Sequence, residues 1–283
     1  MSATAVSQAT AARPRARCRR WLAGLALACL AQGDCRAAAE EIQVYLDDLS
    51  APGQFGLDLH SNVVRSGATS PSYAGERPPQ HVVRLTPELY FGLTPALELG
   101  LYLLTAHPPG AAWQVDGAKV RLKYIAPHDG AAGGFWGLNL ELGRTALAVS
   151  AKPWNAQFKT ILGYRGGPWK LGANLNLDAS LSSGGGPVAL SLDLKAARAV
   201  AEHTELGLEL YSELGPLRRP DALSRNPKTI YAVLDQEIGG LDVNLGLGRG
   251  LTTDADRWVL KLINCPREEC DGNLGTVARL NRK

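Results

Sequence analysis

The sequence predicts an all-β fold, a closed antiparallel transmembrane β-barrel of about twelve strands. Three observations point there. Apolar and polar residues alternate with a period of two over most of the chain, tight turns alternate with longer connections, and charge keeps to one face of each alternating run. The clearest run is WKLGANLNLDASL at 169–181. Leu171, Ala173, Leu175, Leu177, Ala179 and Leu181 share one face, and Lys170, Gly172, Asn174, Asn176, Asp178 and Ser180 share the other. A soluble sandwich would turn the aliphatic face to a core. A membrane barrel turns it to lipid and keeps the polar face for a wet lumen.

Bulk properties exclude other classes. The 283 residues are 45% hydrophobic and 20% charged, and mean hydropathy is -0.09, values that fit neither a helical membrane protein nor a disordered chain. The net charge of +3 owes much to an N-terminal basic cluster, so no nucleic-acid partner is implied. Many of the 31 glycines sit inside the alternating runs, on their polar face.

Residues 1–39 read as a cleaved signal peptide. Arg13, Arg15, Arg17, Arg19 and Arg20 form a basic region, WLAGLALACLA at 21–31 is apolar but too short for an anchor, and Ala37 to Ala39 offer an A-x-A site. Neither Cys29 nor Cys35 has lipobox surroundings. Cleavage removes Cys18, Cys29 and Cys35 and leaves Cys265 and Cys270, which rules out a disulfide framework or a cysteine metal site in the barrel body. The remaining pair either closes a small loop or stays as two thiols.

Residues 40–53 are expected to be a periplasmic lead-in, and 54–263 the barrel. The first two strands, 54–64 and 81–91, follow from alternation of Leu57 and Leu59, then of Leu85 and Leu89, with polar neighbours. In 96–104, Leu97, Leu99, Leu101 and Leu103 alternate with Glu98, Gly100 and Tyr102. In 115–126, Val120, Leu122 and Tyr124 alternate with Lys119, Arg121 and Lys123. In 135–145, Trp136, Leu138, Leu140 and Leu142 alternate with Asn139, Glu141 and Gly143. Runs at 154–165 and 169–181 follow, then 188–200, whose KAARAVAEH end also fits a helix. Runs at 205–214 and 229–238 precede 241–249, where Leu241, Val243, Leu245 and Leu247 alternate with Asp242, Asn244, Gly246 and Gly248. The last run, 257–263, is shorter than the roughly nine to eleven residues a spanning strand needs. It leads into a polar, basic tail at 264–283 without alternation.

With a periplasmic N-terminus, the even-to-odd links are tight, as in Gly166-Gly167-Pro168 and Gly239-Gly240, with PHDGAAGG the exception. The odd-to-even links are longer. That asymmetry is expected of an outer-membrane barrel, whose turns face the periplasm and whose loops face outside. Phe91, Tyr124, Trp136, Tyr164 and Trp169 fall at the periplasmic strand ends, while Trp113, Trp154, Tyr211 and Trp258 fall near the opposite ends. They form two candidate interface girdles.

Arg84, Glu88, Glu98, Lys119, Arg121, Lys123, Glu141, Lys159, Asp178, Asp193, Lys195, Glu209, Asp235, Glu237, Asp242 and Lys261 are expected to point into the lumen. Toward lipid, an Arg or Lys at mid-depth would cost roughly 2–4 kcal/mol. Such a lining either sets selectivity or braces and plugs a narrow lumen, and the basic row Lys119, Arg121, Lys123 facing many carboxylates gives no clear ion preference.

Several stretches resemble a family of bacterial outer-membrane β-barrel transporters linked to the proteins of the meta-pathway of phenol degradation. They are APGQFGLDLH at 51–60, RLTPELYFGLTPALELGLYL at 84–103, GAKVRLKYIAP at 117–127 and LGLGRGLTTDADRWVLK at 245–261. The resemblance spans about 42–263 and implies passive transport of a small solute, a hydrophobic or aromatic compound. It supplies no catalytic residues. Such barrels end on an aromatic that the outer-membrane assembly machinery reads, and the tail here departs from that pattern.

Chemistry-bearing constellations are sparse. His60, Ser61 and Asn62 are consecutive, but neighbours on a strand point to opposite faces, so a hydrolase triad is not expected. His81, His107, His128 and His203 are scattered singly and read as solvated, with no zinc spacing. Gly246-x-Gly248-x-Gly250 lies in a strand with no helix after it, so it cannot cradle phosphate. The expectation is a barrel in outer-membrane lipid without catalysis, metal or cofactor. Its alternatives are a structural or surface barrel with a charge-plugged lumen, a soluble periplasmic β-protein and, last, a lipid-directed barrel enzyme.

Overall fold

The structure, a computed structural model, describes residues 41–129, 132–220 and 226–266. Within them the chain forms twelve strands: β1 (Phe55–Ser66), β2 (Val83–Thr94), β3 (Leu97–His107), β4 (Gln114–Ile125), β5 (Gly133–Thr145), β6 (Trp154–Gly166), β7 (Trp169–Ser180), β8 (Ala189–Ala201), β9 (Thr204–Pro216), β10 (Lys228–Ile238), β11 (Leu241–Gly250) and β12 (Trp258–Pro266). Each pairs antiparallel with its sequence neighbours, and β12 pairs with β1 to close the barrel. Closure leaves no sheet edge, which is how a β-structure satisfies every backbone group in lipid. The proposed signal peptide lies outside the described residues.

One strand with a competing reading is settled, and one differs from expectation. The end of β8 that also fitted a helix is a strand, because Ala196 and Ala197 pair with Leu171 and Lys170 on one side and with Leu208 and Gly207 on the other. The last strand is longer than expected, with nine residues ending at Pro266. Asn264 pairs with both Leu59 and Val243, and Cys265 with Asp242, so ladders on two sides carry the strand past the point where its apolar residues stop. Cys265 is buried and disulfide-bonded; its partner, like Cys270 and the tail from 267 on, lies outside the described residues.

Connection lengths segregate by end. Two residues separate β2 from β3, β6 from β7, β8 from β9 and β10 from β11, with the seven-residue β4–β5 link the exception at that end, whereas the links at the other end hold six to sixteen. These are called the turn end and the loop end below.

The polarity of the barrel is inverted relative to a soluble protein. Leu101, Leu175 and Leu208 on the outer face are 51%, 43% and 54% exposed, whereas Glu88, Arg121, Asn174 and Lys261 on the inner face are at most 4% exposed. A band of exposed leucine around a closed wall is stable only where the surrounding medium is itself apolar.

Candidate functional site: the lumen

The lumen holds a segment of the chain itself. Residues 41–53, expected as a periplasmic lead-in, run inside the barrel instead. Ile42 packs near the loop end with Val64, Tyr231, Val233 and Val259, and Tyr45, Leu46 and Leu49 pack with Ile125, Phe135 and Ile161. The segment leaves at the turn end, where Pro52 bridges Gly92 and the Gly53 N–H donates to the Gly92 carbonyl at 2.8 Å. The physical reason is a match of polarity. Its apolar side chains find a few apolar inner-wall residues, and polar wall side chains satisfy its backbone.

Asn174 makes two of these bonds. The Tyr45 N–H donates to Asn174 Oδ1 at 2.6 Å, and Asn174 Nδ2 donates to the Tyr45 carbonyl at 2.9 Å, so one side chain stands in for a strand neighbour. Lys261 Nζ donates to the Ile42 carbonyl at 3.0 Å, Lys123 Nζ to the Asp48 carbonyl at 2.7 Å, and the Ser50 N–H to Glu98 at 2.7 Å. Arg165 holds both Asp47 and Asp48, the latter at 2.9 Å. The Tyr45 ring lies 3.9 Å from Lys159 Nζ and 5.4 Å from the Arg121 guanidinium carbon, and its hydroxyl donates to Glu41 Oε1 at 2.6 Å and meets the Tyr102 hydroxyl at 2.7 Å. Gly172 makes the fit possible, since a Cβ there would come within 2.5 Å of Leu46 Cδ2.

Two charge networks brace the wall around the segment. On β1–β4, Arg121 pairs with Glu98 and, at 2.7 Å, with Glu88, whose other oxygen meets His60 Nε2 at 3.2 Å. Gly100 leaves the room, because a Cβ there would come within 2.7 Å of both Arg121 Nε and Glu88 Oε1. On β8–β12, Glu209 sits between Lys195, at 3.2 Å, and Lys261, while Lys195 reaches Asp235 at 2.8 Å. Breaking a buried pair of this kind costs about 3–5 kcal/mol, because the orphaned charge stays in a poorly solvated place.

Among the described residues, the segment has a cavity on either side of it. The loop-end cavity has a volume of about 330 Å³ and the turn-end cavity about 400 Å³. Arg84, Lys119, Glu141, Lys159 and Asp178 line the first, with Asp193, Glu41, Glu76, Arg77, Glu213, Asp254 and Asp256. Glu88, Glu98, Arg121, Lys123, Glu209, Asp235 and Asp242 line the second, with Asp48, Asp58, Arg165, Lys170, Lys195, Glu202, Glu205 and Glu237. Lys119 stands 3.9 Å from Glu141, and Lys170 stands 2.9 Å from Glu205. Asp178 and Asp193 are held by amides instead, from Gln157 and Asn176, each at 2.7 Å.

Outside, Phe91 packs against Phe55 at 4.4 Å with the rings tilted, and Tyr124 meets Trp136 edge-on at 5.8 Å, both at the turn end. Tyr164 and Trp169 are exposed at that same end, and Trp154 and Trp258 at the loop end. Tyr211 is a correction. It faces the lumen, not the girdle: it donates to Glu209 at 2.7 Å and packs against Tyr231, because it shares the inward phase of Glu209 two residues earlier. His128 is exposed, as expected, and also lies 3.4 Å from Asp47 and stacks on Phe135.

His60 and Asn62 face inward and are buried, which places Ser61 on the opposite face. His60 was not singled out as lining, because a lone histidine carries no periodic signal. Its place between inward-facing Asp58 and Asn62 was the available clue. Glu41, His60 and Glu88 bring one ligand atom each within 4.8 Å of one another, although Glu88 is already balanced by Arg121.

No protein-family model and no curated protein matches the sequence. Solved structures do. An outer membrane channel from Pseudomonas putida F1 superposes with a TM-score of 0.53 at 13% identity, over 80% of this chain and 99% of that one. The NanC porin follows, with a TM-score of 0.48 at 11% identity over 74% of this chain and 98% of that one. LpxR from Salmonella typhimurium gives 0.41 at 10% identity over 74% and 99%. At such identities only the fold is shared, and the first of these shares it with nearly its whole length.

Proposed function

We propose that this chain is an outer-membrane barrel that lets a small solute cross passively through a lumen narrowed by its own residues 41–53. Export by the segment at 1–39, insertion by the outer-membrane assembly machinery and contact with lipid through the leucine band are parts of this reading. The observation that carries it is the pair of charge-lined cavities, one at each end of the barrel and on either side of the inner segment. Selectivity in such a path comes from lumen side chains and pore diameter, without chemistry. The fold held in common with an outer membrane channel supports the same reading. The lining favours a small polar solute; a hydrophobic or aromatic one rests on the family resemblance alone.

A second reading, a structural barrel with a closed lumen, draws on a different observation. The inner segment is tied to the wall by Asn174, Lys123, Arg165 and Lys261, which a mere lead-in would not need. Single-channel recording of the folded protein in a planar bilayer separates the two. Steady, small conductance is expected, and zero conductance from protein whose gel mobility shifts on heating would favour the closed barrel.

A further inference from the structure

The lumen is acidic although the protein is basic. Among the described residues, the loop-end cavity is lined by eight carboxylates and four Lys or Arg side chains, and the turn-end cavity by ten carboxylates and five. The whole chain carries a formal charge of +3. The inner segment deepens the imbalance. Lys123, Lys261 and Lys159 direct their ammonium groups at its carbonyls and its Tyr45 ring, and Arg165 binds its Asp47 and Asp48, so these wall cations are already engaged by the segment. Asp178 and Asp193 face the loop-end cavity, each hydrogen-bonded to an amide. A confined path with low-dielectric walls focuses the field of such an excess, raising the local concentration of the opposite charge and excluding the like one.

From this lining we infer that the lumen selects for cations, and that its solutes are small inorganic or organic cations such as amines rather than carboxylates or phosphates. The inference rests on the channel reading above, and its test separates the two. The mature protein, with its fold checked by heat-shifted gel mobility, is recorded in a planar bilayer under a potassium chloride gradient. Conductance with a reversal potential displaced toward the potassium equilibrium potential is the expected result. The double variant Asp178→Asn, Asp193→Asn is expected to reduce that displacement, and Lys119→Gln, which removes a loop-end cation, to increase it. Conductance with no displacement, or one toward chloride, overturns cation selection while leaving the channel. A displacement that neither variant changes overturns its assignment to these lumen charges. Folded protein that never conducts overturns the channel reading, and the inference with it.

Discussion

The barrel wall and the segment inside it are the same chain, held by opposite means. The wall is a closed ladder in which every strand pairs on both sides, so its backbone needs nothing from side chains. The inner segment has one isolated bridge, Pro52 to Gly92, and otherwise relies on side chains projecting from the wall. A ladder is cooperative and tolerant of what its side chains are. A segment held by a few side-chain bonds is removed by losing them. The scaffold and the segment inside it can therefore change independently.

Substitutions sharpen that contrast. The largest effect is expected at Arg121→Met, which strands Glu88 and Glu98 in the lumen and should cost about 3–5 kcal/mol, read as a lower midpoint in urea unfolding from lipid. Leu175→Arg attacks the wall from outside. This residue lies mid-strand on the leucine band, and an Arg toward hydrocarbon should cost roughly 2–4 kcal/mol. Poor assembly, seen as loss of the heat-shifted gel band, is expected, and unchanged stability would mean that the outer face does not meet lipid. Asn174→Ala removes both bonds to the Tyr45 backbone and should cost about 1–3 kcal/mol. Its signature is local: chymotrypsin, cutting after Tyr45, or hydrogen exchange should reach residues 41–53 sooner while the strands stay protected. Gly172→Val, whose Cβ would collide with Leu46, should displace the segment while leaving the β7 ladder paired, which is read as higher conductance at nearly unchanged midpoint.

The same contrast explains what the sequence disclosed. The wall was legible because a period of two writes itself into leucine spacing, and Leu97 through Leu103 or Leu241 through Leu247 have almost no competing reading. The inward phase of Arg84, Glu98 or Lys159 follows from the same count. The inner segment was not legible, because it has no partner strand to impose a long period. Its EIQVYLDDLS does alternate Ile42, Val44 and Leu46 with Gln43, Tyr45 and Asp47, but three apolar residues do not reveal whether they meet lipid, solvent or the inside of a barrel. Tyr211 was misplaced because an aromatic near a strand end resembles a girdle residue, although its phase with Glu209 pointed inward. The last strand was cut short because Asn264, Cys265 and Pro266 look like tail, and only pairing with β1 and β11 shows them to be wall.

Whether residues 41–53 set the bore is tested by comparing single-channel conductance of the mature protein with that of a form lacking them. Both forms are folded to the heat-shifted state and recorded in the same salt. The inner position of Tyr45 and Leu46 requires the shortened form to conduct several-fold more, with the cavities at the two ends joined into one path. Equal conductance from the two forms would contradict a segment that occupies and narrows the lumen.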